Sequence, residues 1–139
     1  MSIQKDKSTD ITLKQRKMFQ EAFELHQLGK LDLAEILYKE ILSYLPNNTT
    51  ILTSLGTISI QKGKLEDGLK IIDNSLQIKP NQPNALNNRG NALKNLNRLD
   101  EALLSYDRAI ELKPDYADGH LNRGNALKNL NRLDEALLS

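Results

Sequence analysis

The 139-residue sequence has no cysteine and no tryptophan, and aromatic residues make up only 4% of it. The absence of cysteine excludes disulfides, thiolate metal ligands and cysteine nucleophiles. The apolar residues are mostly Leu, Ile and Ala, which suit helices, whereas strands are typically rich in β-branched and aromatic residues. These shortages predict an all-α protein.

An excess of positive charge is also lacking, since 19 basic residues face 18 acidic ones and leave a net charge of +1. This balance argues against a nucleic acid partner, because proteins that bind a phosphate backbone normally carry a basic surplus. No apolar run approaches the length of a membrane span, and the first residues (MSIQKDK) lack the apolar core of a signal peptide. We therefore predict a soluble, cytoplasmic protein without a membrane partner.

Histidine is scarce as well, and the two present, His26 and His120, lie far apart in the sequence. The carboxylates are spread along predicted solvent-facing positions, so no metal-ligand set, catalytic triad or carboxylate pair can be assigned. No glycine-rich phosphate loop follows a strand pattern. We therefore predict no enzymatic activity, no metal site and no cofactor.

What the sequence does contain is an internal repeat. The segment NRGNALKNLNRLDEALLS occupies residues 88–105 and recurs unchanged at residues 122–139, a shift of 34 residues. A fixed period of this length is typical of helical repeat arrays. We predict an N-terminal tail and helix start at residues 1–14, three full units at residues 15–48, 49–82 and 83–116, and a truncated fourth unit at residues 117–139.

Each unit is predicted to be a pair of short helices, because apolar residues recur at three- and four-residue steps and then the pattern restarts. The restart falls at residues that tolerate the left-handed conformation of helix ends, namely Gly29, Gly63, Asn97 and Asn131. Small residues recur where the paired helices would cross, since larger side chains would force them apart. These small residues are Ala22, Gly56, Gly90 and Gly124 on first helices, and Ala34, Gly68, Ala102 and Ala136 on second helices.

These positions resemble the signature of the tetratricopeptide repeat family. In the third unit the signature residues are Leu86, Gly90, Leu93, Ala102, Tyr106, Ala109 and Pro114. The resemblance covers about Gln15 to Ser139. It implies an α-solenoid, a right-handed superhelix of stacked helix-turn-helix hairpins. It also implies that the first helix of each hairpin faces a concave groove that binds peptides or partner proteins.

Two departures from the family pattern concern packing. Arg89 and Arg123 replace the usual leucine, and we expect them to bury only their stems while the guanidinium groups reach solvent. In the second unit, Ser59, Gly68 and Ser75 stand at packing positions. We therefore expect the second unit to be the most loosely packed.

Asparagine is concentrated on the predicted concave face of the last two units. Since asparagine is a mediocre helix former, several on one face call for a reason. An amide both donates and accepts hydrogen bonds to an extended peptide backbone, and these repeats resemble the asparagine ladders of O-GlcNAc transferases. The alternative is a polar filler copied by duplication. The predicted peptide contacts are Asn88, Asn91, Asn95, Asn122, Asn125 and Asn129, with Lys94 and Lys128.

Two further features belong to the concave face. Phe19, Phe23 and His26 either form an apolar mouth at the N-terminal end or serve in packing, as aromatic residues at helical spacing often do. Chaperone-binding members of the family hold a C-terminal carboxylate with a lysine, and Asn87 and Leu121 stand where that lysine is expected. The sequence thus argues against a chaperone-tail adaptor.

The resemblance leaves two functions open. One is a protein-protein interaction scaffold that binds an extended peptide or partner protein in the concave groove. The other is the N-terminal, substrate-recruiting arm of a larger glycosyltransferase-like enzyme whose catalytic domain is absent. Residues 22–42 (AFELHQLGKLDLAEILYKEIL) are similar to the opening repeat of bacterial SPINDLY-like and O-GlcNAc-transferase-like proteins.

The fourth unit also predicts a homo-oligomer. In a helical array each unit leaves one apolar face for the next, and an uncovered face seeks a partner. We expect the chain to self-associate through this C-terminal repeat. The leucines without a following unit to cover them are Leu121, Leu127, Leu130, Leu133 and Leu137.

Overall fold

Helices account for all the regular structure in the computed structural model, which describes residues 12–138. In chain order they are α1 (Leu13–Gln27), α2 (Leu31–Tyr44), α3 (Thr49–Gln61), α4 (Leu65–Ile78), α5 (Pro83–Asn95), α6 (Leu99–Leu112) and α7 (Ala117–Leu138). The all-α prediction is confirmed. No described helix has both the length and the apolar character that crossing a bilayer requires. Of the predicted N-terminal tail and helix start, residues 1–11 lie outside the described residues, and α1 begins at Leu13.

The helix ends follow local signals in the sequence. The Thr12 hydroxyl accepts a hydrogen bond from the Gln15 backbone N–H at 3.2 Å, and the Gln15 side chain accepts one from the Thr12 N–H at 3.0 Å, so α1 begins with a capping box. In the turns after α1, α3 and α5, Gly29, Gly63 and Asn97 have φ values of 77°, 82° and 63°. The left-handed stop predicted at these three positions is confirmed.

The second hairpin, α3–α4, is closely packed. A methyl group at Gly56 would lie 3.1 Å from the Gly68 carbonyl oxygen, and one at Gly68 would lie 2.8 Å from the Gly56 carbonyl oxygen. Ser75 is buried, and its hydroxyl bonds to the Thr53 hydroxyl at 3.0 Å and to the Thr49 carbonyl oxygen at 3.1 Å. The expected loose packing is therefore wrong, because two facing glycines let the backbones touch and the buried hydroxyl is satisfied.

The hairpins stack in chain order to form an all-α solenoid, with α2 against α3, α4 against α5 and α6 against α7. One hydrophobic core surrounds Tyr38 and joins the first hairpin to α3. A second core surrounds Tyr106 and joins the third hairpin to Leu69 of α4 and Ala126 of α7. Both tyrosines are fully buried, so each core spans the junction between two hairpins.

The two arginines that depart from the family pattern connect successive hairpins. Arg89 Nε lies 2.7 Å from Asp73 Oδ1 and joins α5 to α4. Arg123 Nε lies 2.6 Å from Asp107 Oδ1 and joins α7 to α6. Both arginines are half-buried, and their guanidinium groups bind a carboxylate of the preceding hairpin, a partner that the sequence analysis did not name.

The prediction of a turn at Asn131 is wrong. Helix α7 continues through Asn131 as far as Leu138, although the same segment turns at Asn97. In the third hairpin the Tyr106 ring packs against Gly90 and holds α6 to α5, and no described residue plays that part for α7. The residues after Asn131 therefore continue the helix, which also avoids the left-handed conformation at an asparagine.

Candidate functional site

A concave groove of about 580 Å³ runs along the first helices of the hairpins. The residues that line it come from α1, α3, α5, the start of α7 and the segments leading into α5 and α7. They are Phe23, His26, Gln27, Thr50, Thr53, Ser54, Thr57, Lys79, Asn81, Gln82, Pro83, Asn84, Ala85, Asn87, Asn88, Tyr116 and Asp118. Of the predicted site residues, the concave groove brings together Phe23, His26 and Asn88.

The concave groove is polar and carries little net charge. Helix α3 contributes four hydroxyl side chains, and α5 with its leading segment contributes amides. Lys79 and Asp118 bring one charge of each sign. Hydroxyls and amides both donate and accept hydrogen bonds, so this lining suits the N–H and C=O groups of a polypeptide backbone. Nowhere within residues 12–138 do three His, Asp or Glu side chains gather to hold a metal ion.

Two of the predicted asparagines link neighbouring first helices. Asn88 Nδ2 donates to Thr57 Oγ1 at 2.8 Å, from α5 to α3. Asn122 Nδ2 donates to Asn87 Oδ1 at 3.1 Å, from α7 to α5. An amide has a second N–H hydrogen and a carbonyl oxygen besides the bond made here. Asn88, which is half-buried in the groove lining, therefore retains hydrogen-bonding capacity for a ligand.

Asn91 is engaged inside the third hairpin. The Tyr106 hydroxyl donates a hydrogen bond to Asn91 Oδ1 at 2.6 Å. Burial raises the pKa of the Tyr106 hydroxyl far above its ordinary value of 10.0, because the phenolate form would lose its hydration. Asn91 thus supplies the partner of a buried hydroxyl, and it is not part of the groove lining.

The other predicted contacts also lie outside the groove lining. They follow Asn88 and Asn122 along α5 and α7, towards the ends of these helices. The exposed ones are Asn95, Asn125, Asn129 and Lys128, and Lys94 is half-buried. The structure therefore does not gather the whole predicted set around one groove.

The three residues of the predicted apolar mouth have different surroundings. Phe19 packs edge-on against the Tyr38 ring, with 5.9 Å between the ring centroids. His26 Nε2 lies 2.7 Å from Gln61 Oε1, and its ring meets Tyr38 in a T-shaped contact at 6.5 Å. Phe23 is 50% exposed and lines both the concave groove and a shallow pocket of about 370 Å³ on α1. Phe23 is therefore the mouth residue that offers its ring to the groove.

Sequence reasoning missed Gln82 and Tyr116, which precede α5 and α7 and line the groove. Gln82 accepts a hydrogen bond from Thr53 at 3.3 Å and donates one to the Ser75 hydroxyl at 3.2 Å. Burial raises the pKa of the Tyr116 hydroxyl. The available signal was their 34-residue separation, since each lies two residues after a repeated proline.

Residues 90–131 match the family model of the tetratricopeptide repeat. No curated protein matches the sequence significantly. The match spans the end of α5, the whole of α6 and much of α7, so it includes the small residue Gly90, the buried Tyr106 and the repeat proline Pro114.

Solved structures similar to this chain extend the match to the fold. The first tetratricopeptide domain of Spaghetti (RPAP3), bound to the HSP90 peptide SRMEEVD, has a TM-score of 0.80 at 20% identity and covers 89% of this chain and 98% of that chain. The tetratricopeptide domain of Sgt2 from Aspergillus fumigatus has a TM-score of 0.85 at 16% identity and covers 94% of this chain and 88% of that chain. A Thermobaculum terrenum O-GlcNAc transferase mutant has a TM-score of 0.79 at 23% identity, and the match covers 81% of this chain and 22% of that chain. The chain thus has the fold of tetratricopeptide domains, and its residues 90–131 match the model of that repeat.

Proposed function

We propose that this protein is an interaction scaffold that binds an extended peptide segment of a partner in the concave groove. The observation that carries the proposal is the run of hydroxyl and amide side chains along α3 and α5, with the exposed ring of Phe23 on α1 at one end of it. The similar Spaghetti domain holds a peptide, which supports peptide binding as a use of this fold.

The lining indicates how a peptide is held. Neighbouring first helices lie roughly 10 Å apart, and an extended chain rises about 3.3 Å per residue, so a bound peptide meets a new hairpin about every third residue. Thr57 and Asn88 offer hydrogen bonds to its backbone, and Phe23 offers an apolar contact to one side chain. Recognition is then led by the backbone and by one apolar anchor.

The charge of the groove favours a peptide without a strongly acidic end. The peptide bound to Spaghetti carries three acidic residues, whereas the concave groove offers Lys79 opposed by Asp118. Asn87 stands where chaperone-binding members of the family have the lysine that holds a C-terminal carboxylate. Asn87 is buried, and its side-chain oxygen accepts a hydrogen bond from Asn122. We therefore propose a neutral, apolar-anchored segment as the ligand.

The second candidate function is a substrate-recruiting arm of a larger glycosyltransferase-like enzyme. The specific support is the likeness to the O-GlcNAc transferase structure, of which the match covers 22%. Reading the gene beyond the codon for Ser139 tests this alternative, because a stop codon there contradicts it and a following catalytic domain supports it.

Selection of phage-displayed random peptides on the immobilised protein tests the scaffold proposal. Calorimetry then measures the affinity of the selected peptide for the protein and for its variants. Phe23→Ala and Asn84→Ala, both in the groove lining, should each weaken binding by about tenfold, as removal of a contact at the centre of an interface does. The matched controls are Leu33→Ala on α2 and Asn74→Ala on α4, which change exposed residues outside the groove. Failure to select any peptide, or loss of binding only in the controls, contradicts the proposal.

A further inference from the structure

We propose that two copies of this protein pair by exchanging the ends of α7. We call residues 117–130 the proximal segment of α7 and residues 131–138 its distal segment. In the pair, the distal segment of each copy packs against the proximal segment of the other, in the place that α6 takes beside α5. The occupant of the open face of α7 is thus a second copy of this chain.

The basis of the proposal is one sequence in two conformations. Residues 88–105 and 122–139 are identical, but the first copy closes into the α5–α6 hairpin and the second continues as α7. Leu99 is 5% exposed in the closed copy, whereas its equivalent Leu133 is 42% exposed. Leu103 packs against the core around Tyr106, whereas its equivalent Leu137 is 84% exposed.

The proximal segment presents the surface that α5 presents to α6. Leu93 is fully buried in the core around Tyr106 in the closed copy, and its equivalent Leu127 is only half-buried. A methyl group added at Gly90 would lie 2.5 Å from the Tyr106 ring, whereas nothing lies within 4 Å of one added at Gly124. The receiving face in α7 is therefore formed by the same residues and is open.

Both halves of this contact are present in every chain, so the exchange is reciprocal. The distal segment contains the residues LDEALL at 133–138, and the same residues occupy 99–104 in α6, where Leu99 and Ala102 are buried. Each copy then gives one distal segment and receives one, and such an isologous contact closes as a dimer with two-fold symmetry. A different partner would have to reproduce this complementarity, whereas a second copy already has it.

The position of the two-fold axis follows from the hairpin. The turn between α5 and α6 is centred on Asn97 and Arg98, and the equivalent residues of α7 are Asn131 and Arg132. When a hairpin opens and its halves pair between two molecules, the former turn lies at the centre of the pair. The two copies of Arg132 should therefore lie close together across the axis.

The first test is the oligomeric state of the 139-residue chain, measured by light scattering and sedimentation from about 5 µM to about 500 µM, where mass action favours a dimer as concentration rises. Leu133→Asp should raise the dissociation constant by about tenfold or more, because it places a charge in an apolar contact. Leu104→Asp is the matched control, since Leu104 is 70% exposed on α6 and should leave the constant unchanged. Circular dichroism at low concentration should show equal helicity in both variants.

The second test locates the contact. The chain has no cysteine, so Arg132→Cys introduces a single site for a spin label. Pulsed electron resonance should give an intermolecular distance of about two helix diameters, ~20 Å, across the axis. A label at Lys14→Cys, at the start of α1, should give a longer distance, because the N-terminal hairpins lie at opposite ends of the pair.

Two substitutions of Asn131, the first residue of the distal segment, should change association in opposite directions. Asn131→Gly favours a left-handed turn, as at Gly29 and Gly63, and should weaken association. Asn131→Ala strengthens the continuous helix and should tighten association. A chain that stays monomeric throughout the concentration range overturns the proposal and leaves the open face to another partner. A dimer that tolerates Leu133→Asp, or that shows a long Arg132 distance, overturns it in favour of a different interface.

Discussion

At the scale of single residues, Gly90 and Gly124 compare one local sequence in two environments. Gly90 faces the Tyr106 ring, and Gly124 has open space beside it. We expect Gly90→Ala to destabilise the protein by about 1–3 kcal/mol, because a well-packed core resists an added methyl group. Gly124→Ala should instead stabilise α7 by up to about 1 kcal/mol, since alanine is the better helix former. Urea unfolding of both variants in dilute solution measures the difference.

The identical neighbours of the two glycines make each variant a control for the other. Equal effects of the two substitutions would mean that helix propensity alone decides them. Such a result would contradict the close approach of Tyr106 to Gly90.

The raised pKa of Tyr106 predicts how the stability of the protein changes at alkaline pH. Its hydroxyl pKa is raised in the folded state, so its contribution to stability is fully present below the unfolded value of 10.0 and is lost as the pH rises through and above that value. Tyr106→Phe should cost about 1 kcal/mol at about pH 8, where the bond to Asn91 is lost, and should lose less stability than the parent between about pH 8 and about pH 11. Denaturant melts at these two pH values provide the comparison, and parallel losses in both proteins would contradict the prediction. Tyr38 and Tyr116, whose pKa values burial also raises, leave some alkaline sensitivity in the variant.

Residue positions in the site were predictable to the extent that they depend on helix periodicity. Phe23, His26 and Asn88 line the groove as their spacing indicates. The bond between Asn91 and Tyr106 could not be predicted, because it depends on how deeply the Tyr106 ring enters the hairpin. That depth is set by the absence of a side chain at Gly90, and periodicity carries no measure of it.

At the scale of helices, the turn residues show where local signals suffice. Gly29, Gly63 and Asn97 adopt the expected left-handed conformation. A second helix follows each of them, and the apolar surface that this helix buries against the first offsets the free-energy cost of the turn. Asn131 has the same neighbours as Asn97 but remains helical. The conformation of this segment is thus decided by tertiary contacts, which a local pattern does not contain.

The open face of α7 predicts the effect of extending the chain. Appending a copy of residues 106–113 (YDRAIELK) after Ser139 supplies an equivalent of Tyr106 opposite Gly124. We expect α7 to bend at Asn131 into a hairpin, and the association through its distal segment to weaken, because the same leucines are then covered within one chain. NMR chemical shifts of Asn131, together with light scattering, report both changes. The control carries alanine in place of the appended tyrosine and should stay helical at Asn131.

At the scale of the whole molecule, the architecture was predictable because most contacts join helices that are consecutive or next but one in the chain. A 34-residue period then specifies both the unit and its surroundings, and the stacked solenoid follows without knowledge of long-range pairing. The joints between hairpins were harder to predict. The ion pairs of Arg89 and Arg123 were not predicted, because the aspartates that receive them lie in a different helix and a preceding unit.

The ion pairs between successive hairpins bear on how a repeat array grows by duplication within its gene. Residues 83–116 carry both halves of the connector, since Arg89 binds Asp73 behind it and Asp107 binds Arg123 ahead of it. A tandem copy of this stretch would meet its parent through the same ion pair and the same apolar surfaces, with no adjustment on either side. Duplication in frame is therefore structurally tolerated here, and two identical 18-residue segments are the trace that such an event leaves in a sequence.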